Sequence, residues 1–218
     1  MSKSPETKYY PPVEEKINVI SHAFGFVLSL VGLILLIIKT SQHEDVLHLI
    51  SACVFGTSLI ILYAASTLYH SAKNELVRKR YKVFDHVAIY FLIAGSYTPF
   101  TLVTLKGGTG WMIFGVIWSA ALAGMILKLF FTGRYSLLST ITYVLVGGVI
   151  FIDLEPLLDN LSHAGLMWVM TGGAAYIIGA ILYSIKAIKF NHAIFHLLVL
   201  IGSFCHYSAV YFHVFSGE

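Results

Sequence analysis

The chain has 218 residues, of which 57% are apolar and 11% are charged, and its formal net charge at pH 7 is +3. Soluble domains carry about 25% charged residues, so this composition excludes an ordinary soluble enzyme or binding domain and indicates a protein embedded in lipid. The basic residues lie in the connections between apolar segments, so we expect membrane lipids as partners and no nucleic acid.

Seven apolar segments follow one another along the chain, each close to the roughly 20 residues that a membrane-spanning helix requires. They lie near 17–38, 46–69, 83–105, 111–131, 136–154, 165–187 and 191–215. The first is longer than the core of a signal peptide, so we expect it to be retained as a span. We expect residues 1–16, which contain several prolines and charges, to form a cytoplasmic N-terminal tail, and residues 17–215 to form one seven-transmembrane-helix domain.

Two local patterns predict how these spans are shaped and packed. Pro99 lies inside the third span, where a proline removes a backbone hydrogen bond and bends a helix. Small residues recur at four-residue spacing in Ala52 with Gly56 and in Ala175 with Gly179. Because small residues let membrane helices approach closely, we expect both pairs to lie in packing seams.

Basic residues are distributed unevenly between the two sides of the predicted bundle. Of the 14 lysines and arginines, all but Lys39 and Lys106 lie on the side of the N-terminus. Loops rich in lysine and arginine remain in the cytoplasm, which predicts an N-terminus inside and a C-terminus outside. That arrangement requires an odd number of spans, so charge and hydropathy both predict an all-α membrane protein with a seven-transmembrane-helix bundle.

Ten histidines occur in this apolar chain, and ionisable side chains at membrane depth are costly enough to mark functional sites. His192 and His196 are four residues apart, so a helix places both imidazoles on one face. His70 ends the second span and reaches the same predicted cytoplasmic level. Three imidazoles with one position left for water form the ligand set of a catalytic zinc ion. We therefore expect these three histidines to bind zinc, with iron, nickel and copper left open.

Further polar residues are predicted at the level of this site. Asp85, at the beginning of the third span, is positioned to orient or deprotonate a metal-bound water, and Ser66 lies one turn before His70 on the same face. We expect Asp85 and Ser66 to be the catalytic side chains. The first span contributes a supporting polar stripe that consists of Glu15, Asn18, Ser21 and His22.

Five other histidines are predicted to lie away from the site. His206 follows His196 by ten residues, about 15 Å along a helix, so it cannot share the ion. It either lines a cavity or makes a buried polar contact. Four others fall near the predicted outer surface and are expected to be solvated: His43, His48, His163 and His213.

Three motifs in these residues resemble those of the hemolysin III branch of the progestin and adipoQ receptor family. The motif E-x-x-N-x-x-[ST]-H is matched by Glu15, Asn18, Ser21 and His22. The motif S-x-x-x-H followed by D is matched by Ser66, His70 and Asp85, and H-x-x-x-H by His192 and His196. The resemblance covers nearly the whole chain. It implies a seven-helix bundle with its N-terminus inside, zinc on the three histidines, and Asp85 in contact with the metal through water.

Three functions are left open at this point. The leading hypothesis is a zinc-dependent hydrolase that acts on a lipid amide or ester in membrane lipid homeostasis, since receptor members of the family resemble ceramidases. The second is a non-catalytic membrane regulator or sensor with a structural metal site, and the third is a hemolysin-like cytolytic protein. A retinal-type proton pump is excluded, because the seventh predicted span contains no lysine for a Schiff base. The oligomeric state is not predicted.

Overall fold

The computed structural model describes residues 9–105, 107–132, 136–149 and 155–216. These ranges are almost entirely helical and contain no strand. The α-helices, in chain order, are α1 (Pro12–Thr40), α2 (Val46–Ser71), α3 (Glu75–Pro99), α4 (Gly107–Phe131), α5 (Ser136–Gly147), α6 (Glu155–Asn160), α7 (His163–Ser184) and α8 (Asn191–Ala209). Two π-helical turns, Phe100–Thr104 and Val210–Val214, extend α3 and α8.

Within the described ranges, 6 helices are long and apolar enough to cross a bilayer. They are α1, α2, α3 with its π-helical turn, α4, α7, and α8 with its π-helical turn. The chain is therefore a multi-pass membrane protein. The predicted fifth span is represented by α5, whose 12 residues are about 18 Å long and too short to cross the bilayer alone. Residues 150–154 of that predicted span lie outside the described residues, so the count of seven remains a prediction.

Polar side chains explain where several of the spans begin. The side chains of Asp45, Asn74 and Ser162 accept hydrogen bonds from the first-turn backbone N–H groups of α2, α3 and α7. Such caps satisfy donors that have no partner within the helix. Helix α1 begins at Pro12, five residues before the predicted start of its span, with a proline in the position that needs no N–H donor.

The third helix begins earlier than hydropathy predicts. Its first residue is Glu75, so the connection from α2 consists of residues 72–74 and is shorter than the gap of 70–82 between the predicted spans. The first two turns of α3 are rich in charged residues. Because these residues lower the average hydropathy, the predicted span begins only near residue 83. At the other end, the α-helical pattern gives way after Pro99 to a π-helical turn, in which Leu105 N donates to Phe100 O at 2.8 Å.

Helix packing brings the first turns of α1 and α8 and the last turn of α2 to one end of the bundle. Helix α1 packs against both α2 and α8, and α2 packs against α3. The predicted seams are confirmed: a Cβ on Gly56 would meet Leu33 of α1 at 2.5 Å, and one on Gly179 would meet Leu198 of α8 at 3.2 Å. Close approach along these seams fixes the relative depth of the helices that carry the polar residues.

Candidate metal centre

Three buried histidines converge where α2 ends and α8 begins. His70 lies in the last turn of α2, while His192 and His196 occupy the first two turns of α8. The chain enters α8 through Phe190, whose backbone is left-handed with φ 58°. The carboxylate of Glu14 then accepts a hydrogen bond from the backbone N–H of His192 at 3.1 Å, which ties the beginning of α1 to the beginning of α8.

The ring nitrogens of these histidines are spaced as ligands of one ion. His192 Nε2 lies 3.0 Å from His70 Nε2 and 3.1 Å from His196 Nε2. One nitrogen from each of the three residues lies within 4.8 Å of the other two. In a tetrahedral zinc site with metal–nitrogen bonds of about 2.0–2.1 Å, ligand nitrogens are about 3.3 Å apart. The side chains are 2–8% exposed, so the residues present fit a buried metal ion.

Glu15 orients the first of these ligands. Its Oε2 accepts a hydrogen bond from His70 Nδ1 at 2.6 Å, which leaves Nε2 of that ring to face the other histidines. A carboxylate on the remote ring nitrogen is the usual way in which proteins fix the tautomer of a metal-binding histidine. Asn18, fully buried, packs beside this bond, with its Nδ2 3.5 Å from the same Nδ1. The first-span residues therefore contact a ligand rather than the ion position.

Two other residues of the predicted stripe reinforce this arrangement. His22 stacks on His196 with ring centroids 3.6 Å apart and an angle of 11° between the planes, and meets Tyr63 edge-on at 5.1 Å. Ser21 Oγ donates to the backbone carbonyl of Asn18 at 3.1 Å. His22 thus restricts the ring of His196 by packing, while Ser21 bonds only within its own helix turn.

The two residues predicted to be catalytic lie beside the histidines but do not join the ligand group. Asp85 Oδ2 is 3.3 Å from His86 Nδ1, and its carboxylate is close enough for its charge to act on His70 and His196. Asp85 does not belong to the group of three histidines whose ring nitrogens lie within 4.8 Å of one another. Ser66 is 1% exposed, and its hydroxyl has no hydrogen-bond partner among the described residues.

A buried arginine that the sequence analysis did not single out contacts both Glu15 and the end of α2. Arg78, 1% exposed, lies in the first turn of α3 and forms an ion pair with Glu15 through Nη2. Its Nη1 donates to the carbonyl oxygens of Tyr69 and His70, both at 3.2 Å. Arg78 belongs to none of the three motifs. The sequence indicated only that a basic residue follows the helix cap Asn74 by one helical turn.

An aromatic segment before α1 covers the histidines. The ring of Tyr10 stacks on His192 at 4.4 Å with 14° between the planes, and its backbone N–H donates to Glu15 Oε1 at 3.2 Å. Its hydroxyl lies near that of Tyr183, and burial raises the pKa of the Tyr10 phenol well above its usual range. The neighbouring Tyr9 ring packs on the Arg78 guanidinium at 4.4 Å. Neither tyrosine was predicted to belong to the site.

The histidines at the other end of the bundle are less uniformly solvated than predicted. His163 is exposed and His213, hydrogen-bonded to Ser162 at 2.8 Å, is half-buried. His48 is only 8% exposed because His43 stacks on it at 4.3 Å; the expectation of a solvated His48 is wrong.

His206 combines the two alternatives that its sequence position left open. It donates from Nδ1 to the carbonyl of Gly202 at 2.9 Å and stacks on Tyr176 at 5.3 Å. It also lines a cavity of about 60 Å³ beside Ser96 and Tyr97. It belongs to neither the ligand group nor its hydrogen-bond network.

Comparison with known proteins gives a consistent assignment over nearly the whole chain. The model of the family described as Haemolysin-III related matches residues 11–207. The chain is 42% identical over 201 residues to Hemolysin-3 of Bacillus cereus, covering 92% of each protein. It is 41% identical over 200 residues to the Hemolysin-3 homolog of Bacillus subtilis strain 168, covering 92% of this chain and 94% of the relative.

A more distant relative extends the similarity beyond bacteria. The human Monocyte to macrophage differentiation factor is 28% identical over 221 residues, covering 98% of this chain and 90% of the relative. The family match includes every histidine of the ligand group as well as Glu15, Arg78 and Asp85. The resemblance drawn from the three motifs is thereby confirmed, and the chain belongs to the haemolysin-III-related family, the hemolysin III branch of the progestin and adipoQ receptor family.

Proposed function

We propose that the protein is a zinc-dependent membrane hydrolase that acts on an amide or ester bond of a lipid and takes part in membrane lipid homeostasis. The observation that carries this proposal is the convergence of His70, His192 and His196, with ring nitrogens 3.0 and 3.1 Å apart in a buried position. Three neutral imidazoles are the ligand set of catalytic zinc sites, which keep a further position for water or substrate. When bound, the ion would polarise a carbonyl oxygen and acidify a water molecule.

The residues around the ligands support a catalytic assignment. Asp85 lies within electrostatic range of His70 and His196 without belonging to their group, which supports a role as the acceptor of a proton released beside them. The hydroxyl of Ser66, buried and without a partner among the described residues, is available to donate a hydrogen bond to a substrate oxygen. Tyr10 excludes bulk water on one side by stacking on His192.

We further propose seven spans, with the N-terminus and the metal centre on the cytoplasmic side and the C-terminus outside. The basic residues support this orientation, since only Lys39 and Lys106 of the 14 lie on the opposite side. A lipid substrate would then reach the histidines from the inner leaflet. Helix α5, together with residues up to the beginning of α6, would supply the remaining crossing.

A second candidate is a non-catalytic regulator or sensor in which the metal fixes helix ends together. The observation that favours it is that the ligands come from α2 and α8, while Glu14 and Glu15 of α1 bind the same two helices through His192 and His70. Metal binding would then order three helix ends without turnover. A third candidate, cytolytic action, rests on the name of the Bacillus cereus relative, Hemolysin-3.

The substitution Asp85→Asn separates the enzyme from the regulator. The amide is nearly isosteric with the carboxylate and Asp85 is outside the ligand group, so we expect normal zinc content but loss of the cellular lipid phenotype, because an amide does not accept the proton. Zinc analysis of the purified variant and lipidomics of cells that express it in place of the wild type test both parts. Asp159→Asn, an exposed position, is the matched control.

His70→Ala completes this comparison, because it removes a ligand and should abolish both metal binding and the phenotype. An Asp85→Asn protein with full zinc content and a wild-type lipid profile would contradict the hydrolase and favour the regulator. Leakage of dye from vesicles when the purified protein is added would instead favour the cytolytic candidate.

A further inference from the structure

We propose that Arg78 is a positioning residue of the metal centre, which holds the Glu15 carboxylate on Nδ1 of His70 and so fixes the direction in which His70 presents Nε2. The inference rests on the proposed metal site and adds a residue outside the three motifs that carried it. Arg78 donates hydrogen bonds to Glu15 and to the backbone at the end of α2, and we propose that its effect on the metal follows this route.

The carboxylate of Glu15 is shared between the arginine and the metal ligand. Oε2 accepts from His70 Nδ1 at 2.6 Å, whereas Oε1 faces both Arg78 Nη2 and the backbone N–H of Tyr10, the latter at 3.2 Å. Because the carboxylate is planar, holding Oε1 in place restricts the rotation of the whole group. Oε2 is then kept in the direction of His70. Without the guanidinium, Glu15, whose side chain is 16% exposed, is free to rotate away from His70.

The same guanidinium also holds the backbone of the ligand. Helix α2 ends at Ser71, and the last carbonyl groups of a helix have no partner within it. Arg78 Nη1 donates to Tyr69 O and His70 O at 3.2 Å and to Ala72 O at 3.4 Å. Thus one side chain restrains both the main chain of His70, at its carbonyl, and its imidazole, through Glu15.

The surroundings of the guanidinium select an arginine rather than a lysine. Its central carbon lies 4.4 Å from the ring centre of Tyr9 and 4.6 Å from that of Tyr69, so the cation packs against two aromatic rings. A planar fork can donate to Glu15 from one nitrogen and to the carbonyl groups from the other. A lysine ammonium retains the charge opposite Glu15 but cannot span both sets of acceptors.

The test is Co²⁺ binding to the purified full-length protein, because the ion gives a visible spectrum that reports ligand number and geometry. We expect Arg78→Met to weaken Co²⁺ binding about 10- to 100-fold, the range typical for loss of a group that orients a ligand, and to alter the spectrum. Arg78→Lys should recover part of the affinity. The control Arg80→Met changes an exposed arginine on the same helix and should bind Co²⁺ as the wild type does.

A double-substitution cycle distinguishes positioning from general loss of structure. If Arg78 acts through Glu15, then Glu15→Gln alone should weaken Co²⁺ binding, and adding it to Arg78→Met should weaken binding little further. Independent effects that multiply would contradict this route. Arg78→Met protein that melts at the wild-type temperature and binds Co²⁺ within twofold of the wild type, with the same spectrum, would overturn the inference.

A metal-free measurement keeps this inference separate from the proposed function. In protein labelled with ¹⁵N-histidine, the Nδ1–H signal of His70, assigned by its loss in His70→Ala, should be present in the wild type and absent or exchange-broadened in Arg78→Met. A wild-type protein that binds neither Co²⁺ nor Zn²⁺ would refute the proposed function alone. Persistence of that signal in Arg78→Met would refute the positioning role, whether or not a metal binds.

Discussion

The buried charged residues at one end of the bundle have polar or oppositely charged partners. Arg78 is 1% exposed and Glu14 4%, and an unpaired ion at such depth costs several kcal/mol. Arg78 is compensated by Glu15 and by carbonyl groups of α2, and Glu14 by the N–H group of His192 at the positive end of α8. The polar residues are therefore a connected network rather than isolated side chains, and three of its bonds end on a candidate metal ligand or its backbone.

Sequence reasoning brought the three histidines of the candidate site together because their signal is local and strong. His192 and His196 share a helix face through their four-residue spacing, and His70 was assigned to the same depth by the order of the spans. Tyr10 and Arg78 were missed for a physical reason. Both lie in stretches that hydropathy treats as outside the membrane, and their contribution depends on how the beginnings of α1 and α3 fold back on the ligands.

Tyr10 should slow the escape of the metal. Its ring covers His192 at 4.4 Å, so we expect Tyr10→Ala to speed the transfer of zinc to a chromogenic chelator several-fold, because water and chelator gain access to the histidines. Tyr10→Phe retains the stacked ring and removes the hydroxyl near Tyr183, and its transfer rate should stay near that of the wild type. Equal rates in wild type and Tyr10→Ala would show that the ring is not a barrier.

Among the helices, α1 has the largest role in joining the others at the metal centre. Its first turn supplies Glu14 to α8 and Glu15 to α2 and α3. The sequence predicted α1 as a span and its polar stripe as support. It did not predict a beginning at Pro12, because the charged first turn lowers the local hydropathy, although Glu14 in that turn is buried. The beginning of α3 at Glu75 differs from prediction for the same reason. Its π-helical turn ends at Thr104, one residue from the predicted end of the span.

The contact between Glu14 and α8 should contribute measurably to stability. Glu14→Ala removes the acceptor for the His192 N–H group, and we expect a loss of about 1 kcal/mol, typical of a lost helix cap. For a chain of this size that corresponds to a fall in Tm of about 2–4 °C, measurable by thermal unfolding in detergent. Glu44→Ala removes an exposed carboxylate and should leave Tm unchanged. Equal Tm values for the two variants would contradict the cap.

At the scale of the whole molecule, composition and hydropathy were sufficient for the class of protein and for six spans to within a few residues, apart from the early beginnings of α1 and α3. These signals follow directly from the cost of placing polar groups in lipid. The fifth segment was the least clearly bounded in sequence. Its helix α5 covers only Ser136–Gly147, and neither its pairing with α7 nor the depth of α6 follows from an apolar pattern alone.

Topology tests the seven-span proposal as a whole. With the N-terminus inside and seven crossings, a reporter that is active only in the cytoplasm should be silent when fused after Glu218 and active when inserted at residue 73, between α2 and α3. The charge asymmetry provides the physical reason. Strong cytoplasmic activity after Glu218 would indicate an even number of crossings and would refute the proposed orientation.

The zinc content of the purified protein tests the central claim most directly. Metal analysis of protein prepared without chelators should find about one zinc ion per wild-type chain and little in His192→Ala or His196→Ala, since each variant keeps only two of three ligands. His213→Ala, at the other end of the bundle and hydrogen-bonded to Ser162, should retain the wild-type content. Equal zinc content in all four proteins, or none in the wild type, would contradict a metal centre built on these histidines.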